Sequence, residues 1–278
     1  MNTGEHGFAL LAVLWVTIAL SLIAVSLIAT TRSDASLIQQ LSGRLQDQAA
    51  ADACINLAVL ALIQAGHDNR LPTDGTEHGI SFDNRAMTIS IQDETGKIDL
   101  NMTSKDFLSG LFQVLGVAPG EASALGDAVV MWRGRTGGTQ AGIGSAGPRG
   151  PRNAPFESVD ELIGVPGMTR TLMDQVRGYV TVYSQRAQID QSIAAPEVLL
   201  ADPTLSKADV EAIMRDRKSK TNQQAAFAVA AGQDDLLGRA FSIKVSAADG
   251  PRSRLVRSVI IRLTGEVTLP FWMLAIER

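Results

Sequence analysis

The chain has a single cysteine, Cys54, so no disulfide can form within it. It carries three histidines, and none stands in an H-E-x-x-H pattern. A G-x-S-x-G elbow is also missing. The lysine after Gly96 does not make a phosphate loop, because Ile91 stands where that motif needs a second glycine. Gly142 to Gly147 spells G-x-G-x-x-G, but glycine-rich coil precedes it and Pro148 follows, where a dinucleotide site needs a strand and then a helix. That segment reads as flexible linker. His67, Asp68, Asp74, Glu77 and His78 share one polar loop at a spacing that matches no ligand pattern, so they read as solvated loop residues. The net charge of -4 lacks the positive excess that gives general affinity for nucleic acid. Nothing here points to catalysis, and no catalytic or metal-binding residues are assigned.

Charge and proline are both missing from the start of the chain. Phe8 to Ala29 holds no charged residue, and the first proline is Pro72. About 22 helical residues span roughly 33 Å, the thickness of a bilayer's hydrocarbon core. Beyond this run Leu37, Ile38, Leu41, Leu45, Ala49, Ala53 and Leu57 recur at three- and four-residue steps, with polar residues between them. The pattern predicts one continuous helix ending near Gly66, apolar all round in its first half and amphipathic in its second. Cys54 falls on its packed face as a small buried hydrophobe.

Further on, Ile80 to Phe82 suggests a short strand. Met87, Ile89 and Ile91 alternate with Thr88 and Ser90, and Ile98 and Leu100 continue that alternation after a turn at Asp93 to Gly96. From Ser104 the period becomes helical. Phe107, Leu108, Leu111, Phe112 and Leu115 form one face, and a helix opening at Pro119 carries Leu125, Ala128, Val129 and Trp132. Ser158 can cap a helix holding Val159, Leu162 and Ile163. After the turn Gly164 to Gly167, Thr169 can cap another with Leu172, Met173 and Val176. Ser206 and Asp209 form a capping box for a helix through Met214, and Phe227, Ala228 and Ala231 suggest one more. Three strand signals close the chain, around Phe241 to Val245, Leu255 to Leu263 and Phe271 to Ile276.

Three groups of residues carry a family resemblance. Gly7-Phe8 at the head of the apolar run resembles the processing site of type IV pilins and type II secretion pseudopilins. Asp93-Glu94-Thr95-Gly96-Lys97-Ile98-Asp99-Leu100-Asn101 resembles a D-E-x-G-K-x-N-x-N pattern, with Asp99 in place of the first asparagine. Asn153-Ala154-Pro155-Phe156, Ser158-Val159, Glu161-Leu162, Gly167-Met168-Thr169 and Tyr179-Val180-Thr181 resemble a hairpin of the same family. Together they are similar to the minor pseudopilin K family of type II secretion. That resemblance implies cleavage by a prepilin peptidase between Gly7 and Phe8, with N-methylation of Phe8. The assembly position five, Glu in most pilins, is Ala12, as this branch allows.

The implied fold class is α+β: a pilin-like long N-terminal helix packed on an antiparallel sheet, with an inserted all-helical domain. The expected organisation is a leader at 1–7, a transmembrane helix at 8–31, a pilin-like domain at 32–101 and 238–278, and the helical insertion at 102–237. The implied protein is no enzyme and has no cofactor. It is a single-pass inner-membrane subunit with its soluble part in the periplasm, and it stands at the pseudopilus tip to initiate and cap assembly for the export of folded proteins. Its expected partners are minor pseudopilins I and J, other pseudopilins, the prepilin peptidase, the secretin and the inner-membrane platform. Orientation rests on the resemblance, because residues 1–7 lack the usual Lys or Arg. Calcium, bound by some family members, lacks its acidic D-W-x-D cluster here, where Met131-Trp132-Arg133-Gly134 stands instead. The alternative reading is a membrane-anchored helix-hairpin-helix protein that binds nucleic acid. Around the hairpin, however, Glu157, Asp160, Glu161 and Asp174 offset its arginines.

Overall fold

The computed structural model describes residues 5–63, 72–83, 85–134, 154–224, 236–249, 252–266 and 268–277. The Gly-rich segment before Arg149 and the helix expected around Phe227 to Ala231 lie outside the described residues. The chain divides into two units, Met1–Ala50 and Ala51–Arg278. The first consists of helix α1, which begins at Glu5 and runs unbroken to Ile63 in the second unit. An uninterrupted helix is what a stretch without proline allows.

In the second unit α1 buries Ala51, Cys54, Ile55, Ala58, Val59 and Leu62. These positions repeat at three and four residues, so one face carries all of them. Asp52 pairs with Arg257 at 2.9 Å, which brings this part of α1 beside strand β6 (Arg252–Leu263). Burial also pushes the Cys54 thiol up, as befits a packing residue.

The main sheet has five antiparallel strands in the order β1-β2-β5-β6-β7. Strand β1 is Asp74–Phe82, β2 Arg85–Asp93, β5 Ala240–Asp249 and β7 Phe271–Glu277. Alternation builds its buried face. Met87, Ile89 and Ile91 of β2 lie opposite Ala247, Val245 and Ile243 of β5, and Ile243 lies opposite Val259 of β6. Each of these large side chains contributes about 1.5–3 kcal/mol by leaving water.

Two expectations need correction. The polar stretch Asp74 to Gly79 is not loop but most of β1. Cross-strand bonds to β2 override its poor strand composition, and a bulge between Asp74 and Glu77 absorbs the mismatch. Ile98 and Leu100 do not extend the main sheet. Strand β3 (Ile98–Asp99) pairs in parallel with β4 (Val180–Thr181) as a separate two-stranded ribbon.

Between β2 and β5 the chain folds into helices α2 (Lys105–Val114), α3 (Pro119–Trp132), α4 (Arg170–Val176), α5 (Pro196–Ala201) and α6 (Lys207–Gln224), with a 3-10 helix at Val159–Gly164. The caps anticipated at Ser158, Thr169 and Ser206 form, and Ser104 adds one more. Ser104 accepts from the Phe107 amide and Thr169 from the Leu172 amide. Ser158 and Glu161 close a reciprocal box, and so do Ser206 and Asp209. One apolar cluster joins Leu108, Leu111, Phe112, Val129, Leu162, Val176 and Leu199 to Ile98 and Leu100, and among the described residues it contains none of the five main strands.

Helices α2 and α5 lie close together at Gly110. A Cβ placed there would lie 2.3 Å from the backbone oxygen of Ala201. Gly110→Ala should therefore force the helices apart and cost about 1–3 kcal/mol as an overpacked contact. Urea unfolding monitored by circular dichroism checks this. A midpoint at or above the parent's would refute the close-packing account.

Candidate functional site

The segment Asp93 to Asn101 forms a set of fastenings. Asp93 caps the 3-10 helix Glu94–Gly96: one carboxylate oxygen accepts from the Thr95 amide at 2.9 Å and from its hydroxyl at 2.7 Å. Its other oxygen takes Arg239 at 3.0 Å. The Asp93 side chain is 1% exposed. Burial raises its carboxyl above the usual range, against the opposing pull of the Thr95 hydrogen bonds and Arg239. Glu94 accepts from Lys97 at 2.7 Å and from the Ser242 hydroxyl of β5.

Asp99 is 2% exposed and fully engaged. It accepts from the Asn101 amide at 2.9 Å, the Gln185 amide at 2.8 Å and the Ser184 hydroxyl at 3.0 Å. Asn101 grips the Phe156 backbone in both directions, donating at 2.9 Å and accepting at 2.7 Å. The two resembling segments, 93–101 and 153–181, are thus tied to each other. An amide side chain is suited to this, since it offers donor and acceptor together.

Arg133 completes the arrangement, and sequence reasoning missed its role. It donates to the Leu100 carbonyl and, at 2.7 Å, to the Thr103 carbonyl. Burial lowers its pKa, while the charge of Asp99 pulls it back up. Asp99 stands in place of the family's first asparagine, Arg133 lies in the Met131–Gly134 stretch that lacks the family's acids, and the fold places the two within electrostatic reach of each other. The sequence signs were the negative charge gained at Asp99 and an arginine inside a stretch that lacks the expected acids.

This chemistry bears on calcium. The segment that would carry acidic ligands instead holds a guanidinium against the Leu100 and Thr103 carbonyls. A permanently charged group on those acceptors repels a divalent cation, so the residues present do not fit calcium there. Among the described residues no three His, Cys, Asp or Glu gather as a metal group. Of the polar cluster around His78, His67 and Asp68 lie outside the described residues, while Asp74, Glu77 and His78 lie on β1.

The hairpin turn, read as an alternative phosphate cradle, is packed against α3. A Cβ at Gly164 would meet the Trp132 ring at 2.9 Å, and one at Gly167 would meet Leu125 at 3.1 Å. Gly167 has φ +91, so only glycine makes this turn without strain. Arg177, beside it, pairs with Asp160.

Gly7, Phe8 and Ala12 all lie within α1. Ala12 is exposed, as is every residue from Leu11 to Ile23, with Trp15 70% exposed. Of the apolar run, only these side chains are described. Among the described residues no helix is long and apolar enough to cross a membrane. The edge strand β7 is apolar on both faces and leaves Trp272, Met273 and Ile276 about half exposed.

Residues 53–185 match the model of the type II secretion system (T2SS), protein K. The fold is similar to a chain in the crystal structure of the GspK-GspI-GspJ complex from the enterotoxigenic Escherichia coli type 2 secretion system. The TM-score is 0.52 and the identity 17%, over 89% of this chain and 98% of that one. No curated protein matches the chain. The α+β architecture and the matched segment, which contains both interlocked motifs, agree: residues 53–185 are similar to the type II secretion system protein K family, the minor pseudopilins K.

Proposed function

We propose that this minor pseudopilin stands at the tip of a type II secretion pseudopilus, where it initiates and caps assembly with minor pseudopilins I and J. The observation that carries the reading is helix α1. Its front half exposes Leu11, Trp15, Ile18 and Ile23, and the same helix continues as the buried face Ala51 to Leu62. A helix that is bare and apolar at one end and packed at the other suits a subunit anchored in lipid and carried by a folded domain. The apolar edge β7 supports a subunit that is covered in an assembly. The membrane is the inner one, with the folded part in the periplasm. The prepilin peptidase, other pseudopilins, secretin and inner-membrane platform are its further contacts. No role here calls for catalysis.

Ala12 fits the tip. A free amine on Phe8 after cleavage is costly near hydrocarbon unless it is paired. In a filament, Glu at position five of an incoming subunit can pair with the amine of the one already placed, which sets register more than it adds stability. The first subunit has no neighbour ahead of it and needs no such Glu.

The reading is tested by mass spectrometry of the protein purified from a host with prepilin peptidase. The expected mature chain begins at N-methylated Phe8. A chain still beginning at Met1, or beginning beyond Ala29, would count against it.

A further inference from the structure

The helices between β2 and β5 have their own apolar core, and among the described residues no side chain of the five main strands belongs to it. Polar contacts join them to the sheet, and several of these converge on one short segment. Arg239, just before β5, reaches Asp190 at 3.2 Å while holding Asp93 at 3.0 Å. Arg262 of β6 donates to the Tyr183 carbonyl and to the Gln185 side-chain oxygen, each at 2.7 Å. Arg262 lies opposite Ala240 in the β5–β6 pairing, so the two arginines come from neighbouring strands at the same end of the sheet. Between their grips the Asp190 amide donates to the Thr95 carbonyl at 2.8 Å, and Ile193 lies against Gly96.

On its other side the segment is held by the insertion. Asp99 takes the Gln185 amide and the Ser184 hydroxyl. Arg217 of α6 donates to the carbonyls of Gln191 and, at 2.7 Å, Ala194. Gln185 sits at φ +55, an uncommon conformation for a residue other than glycine, and it is over-determined by contacts from both sides.

We propose that Tyr183 to Ile193 is a strap by which Arg239 and Arg262 hold the helical insertion on the pilin-like sheet, and that the strap opens while both cores stay closed. The physical ground is the division of labour. Apolar burial, which makes unfolding cooperative, lies within each core. Hydrogen bonds and ion pairs, which can exchange for water, lie between them. Released, the insertion keeps its helices and changes only how it is presented relative to the sheet. Arg262 is the outer grip: its partners are a carbonyl and an amide side chain at the surface, so losing it strands no buried charge.

Native-state hydrogen exchange on the full chain in detergent, comparing the parent with Arg262→Met, tests this. Exchange at the Gln185 and Asp190 amides should accelerate at least tenfold, with the amides of Leu111 in α2 and Ile243 in β5 unchanged. Unchanged exchange at Gln185 and Asp190 would overturn the proposal. So would an equal acceleration at Leu111 and Ile243, which would mean that the insertion and the sheet open as one body. If Arg262→Met does not fold, Arg262→Lys serves, because one ammonium cannot reproduce the fixed two-acceptor grip of the guanidinium. It should give a smaller acceleration confined to the same amides, and parent-like rates there would equally refute the strap. Arg177→Met, which removes an exposed pair elsewhere on the insertion, should leave all four amides unchanged. Acceleration at Gln185 and Asp190 in that variant would show that their protection does not depend on the strap.

Discussion

Arg239→Met is expected to destabilise the folded unit by about 3–5 kcal/mol, because it leaves a buried carboxylate without its cation. Arg239 is 11% exposed and Asp93 1%, so water cannot replace the lost partner at Asp93. For a unit of this size each kcal/mol lowers Tm by about 2–4 °C. The loss should therefore be roughly 6–20 °C by differential scanning calorimetry. The pH dependence has a definite sign. Burial already raises the Asp93 carboxyl, and removing Arg239 raises it further. A group whose pKa is raised by folding contributes most below its unfolded pKa and loses that contribution as pH rises through the folded one. The deficit should be smallest in acid and grow as pH rises through the Asp93 titration. Asp190 loses the same cation but keeps the Ser192 amide and hydroxyl, and it is more exposed, so its share is minor. Adding Asp93→Asn to Arg239→Met should recover part of the loss and flatten the pH dependence. A deficit independent of pH would contradict this assignment.

Arg133→Met is expected to cost about 2–4 kcal/mol, since two carbonyls lose a charged donor and Asp99 loses a neighbouring cation. Asp99→Asn alone should also destabilise. Both Asp99 oxygens accept, so an amide would turn its NH2 group toward either Asn101 N–H or the Ser184 and Gln185 donors. With both substitutions the electrostatic reason for the pair disappears. The double variant should be less destabilised than the sum of the singles by about 1 kcal/mol or more. Urea unfolding of the four proteins measures this coupling. Strict additivity would mean that Asp99 and Arg133 are not coupled.

The sequence carried the fold wherever the physics was local. Met87-Ile89-Ile91, Phe241-Ile243-Val245 and the final strands announced themselves by alternation, and three helix starts by side chains that cap within three residues. It failed where a distant partner decides. Asp74 to Gly79 becomes a strand only because β2 offers it hydrogen bonds. Ile98 joins Val180, far along the chain, in a parallel pair that no turn signal can announce. The candidate motif showed the same limit. Asp93, Asp99 and Asn101 stood out by their pattern, but their partners Arg239, Gln185 and Phe156 were identifiable only once the chain had folded. Arg133 had been noted only as part of a stretch that lacks the family's acids, and its function as a cation on backbone carbonyls needed the fold.

The role at the tip requires a subunit that joins minor pseudopilins I and J and does not polymerise with itself. The most direct measurement is co-purification of the full chain, extracted in mild detergent, with tagged minor pseudopilins I and J from the same secretion system. The expected result is a stoichiometric complex of the three proteins, with no filaments when this chain is produced alone. Failure to co-purify with either partner, or self-assembly of the chain into long filaments, would contradict it.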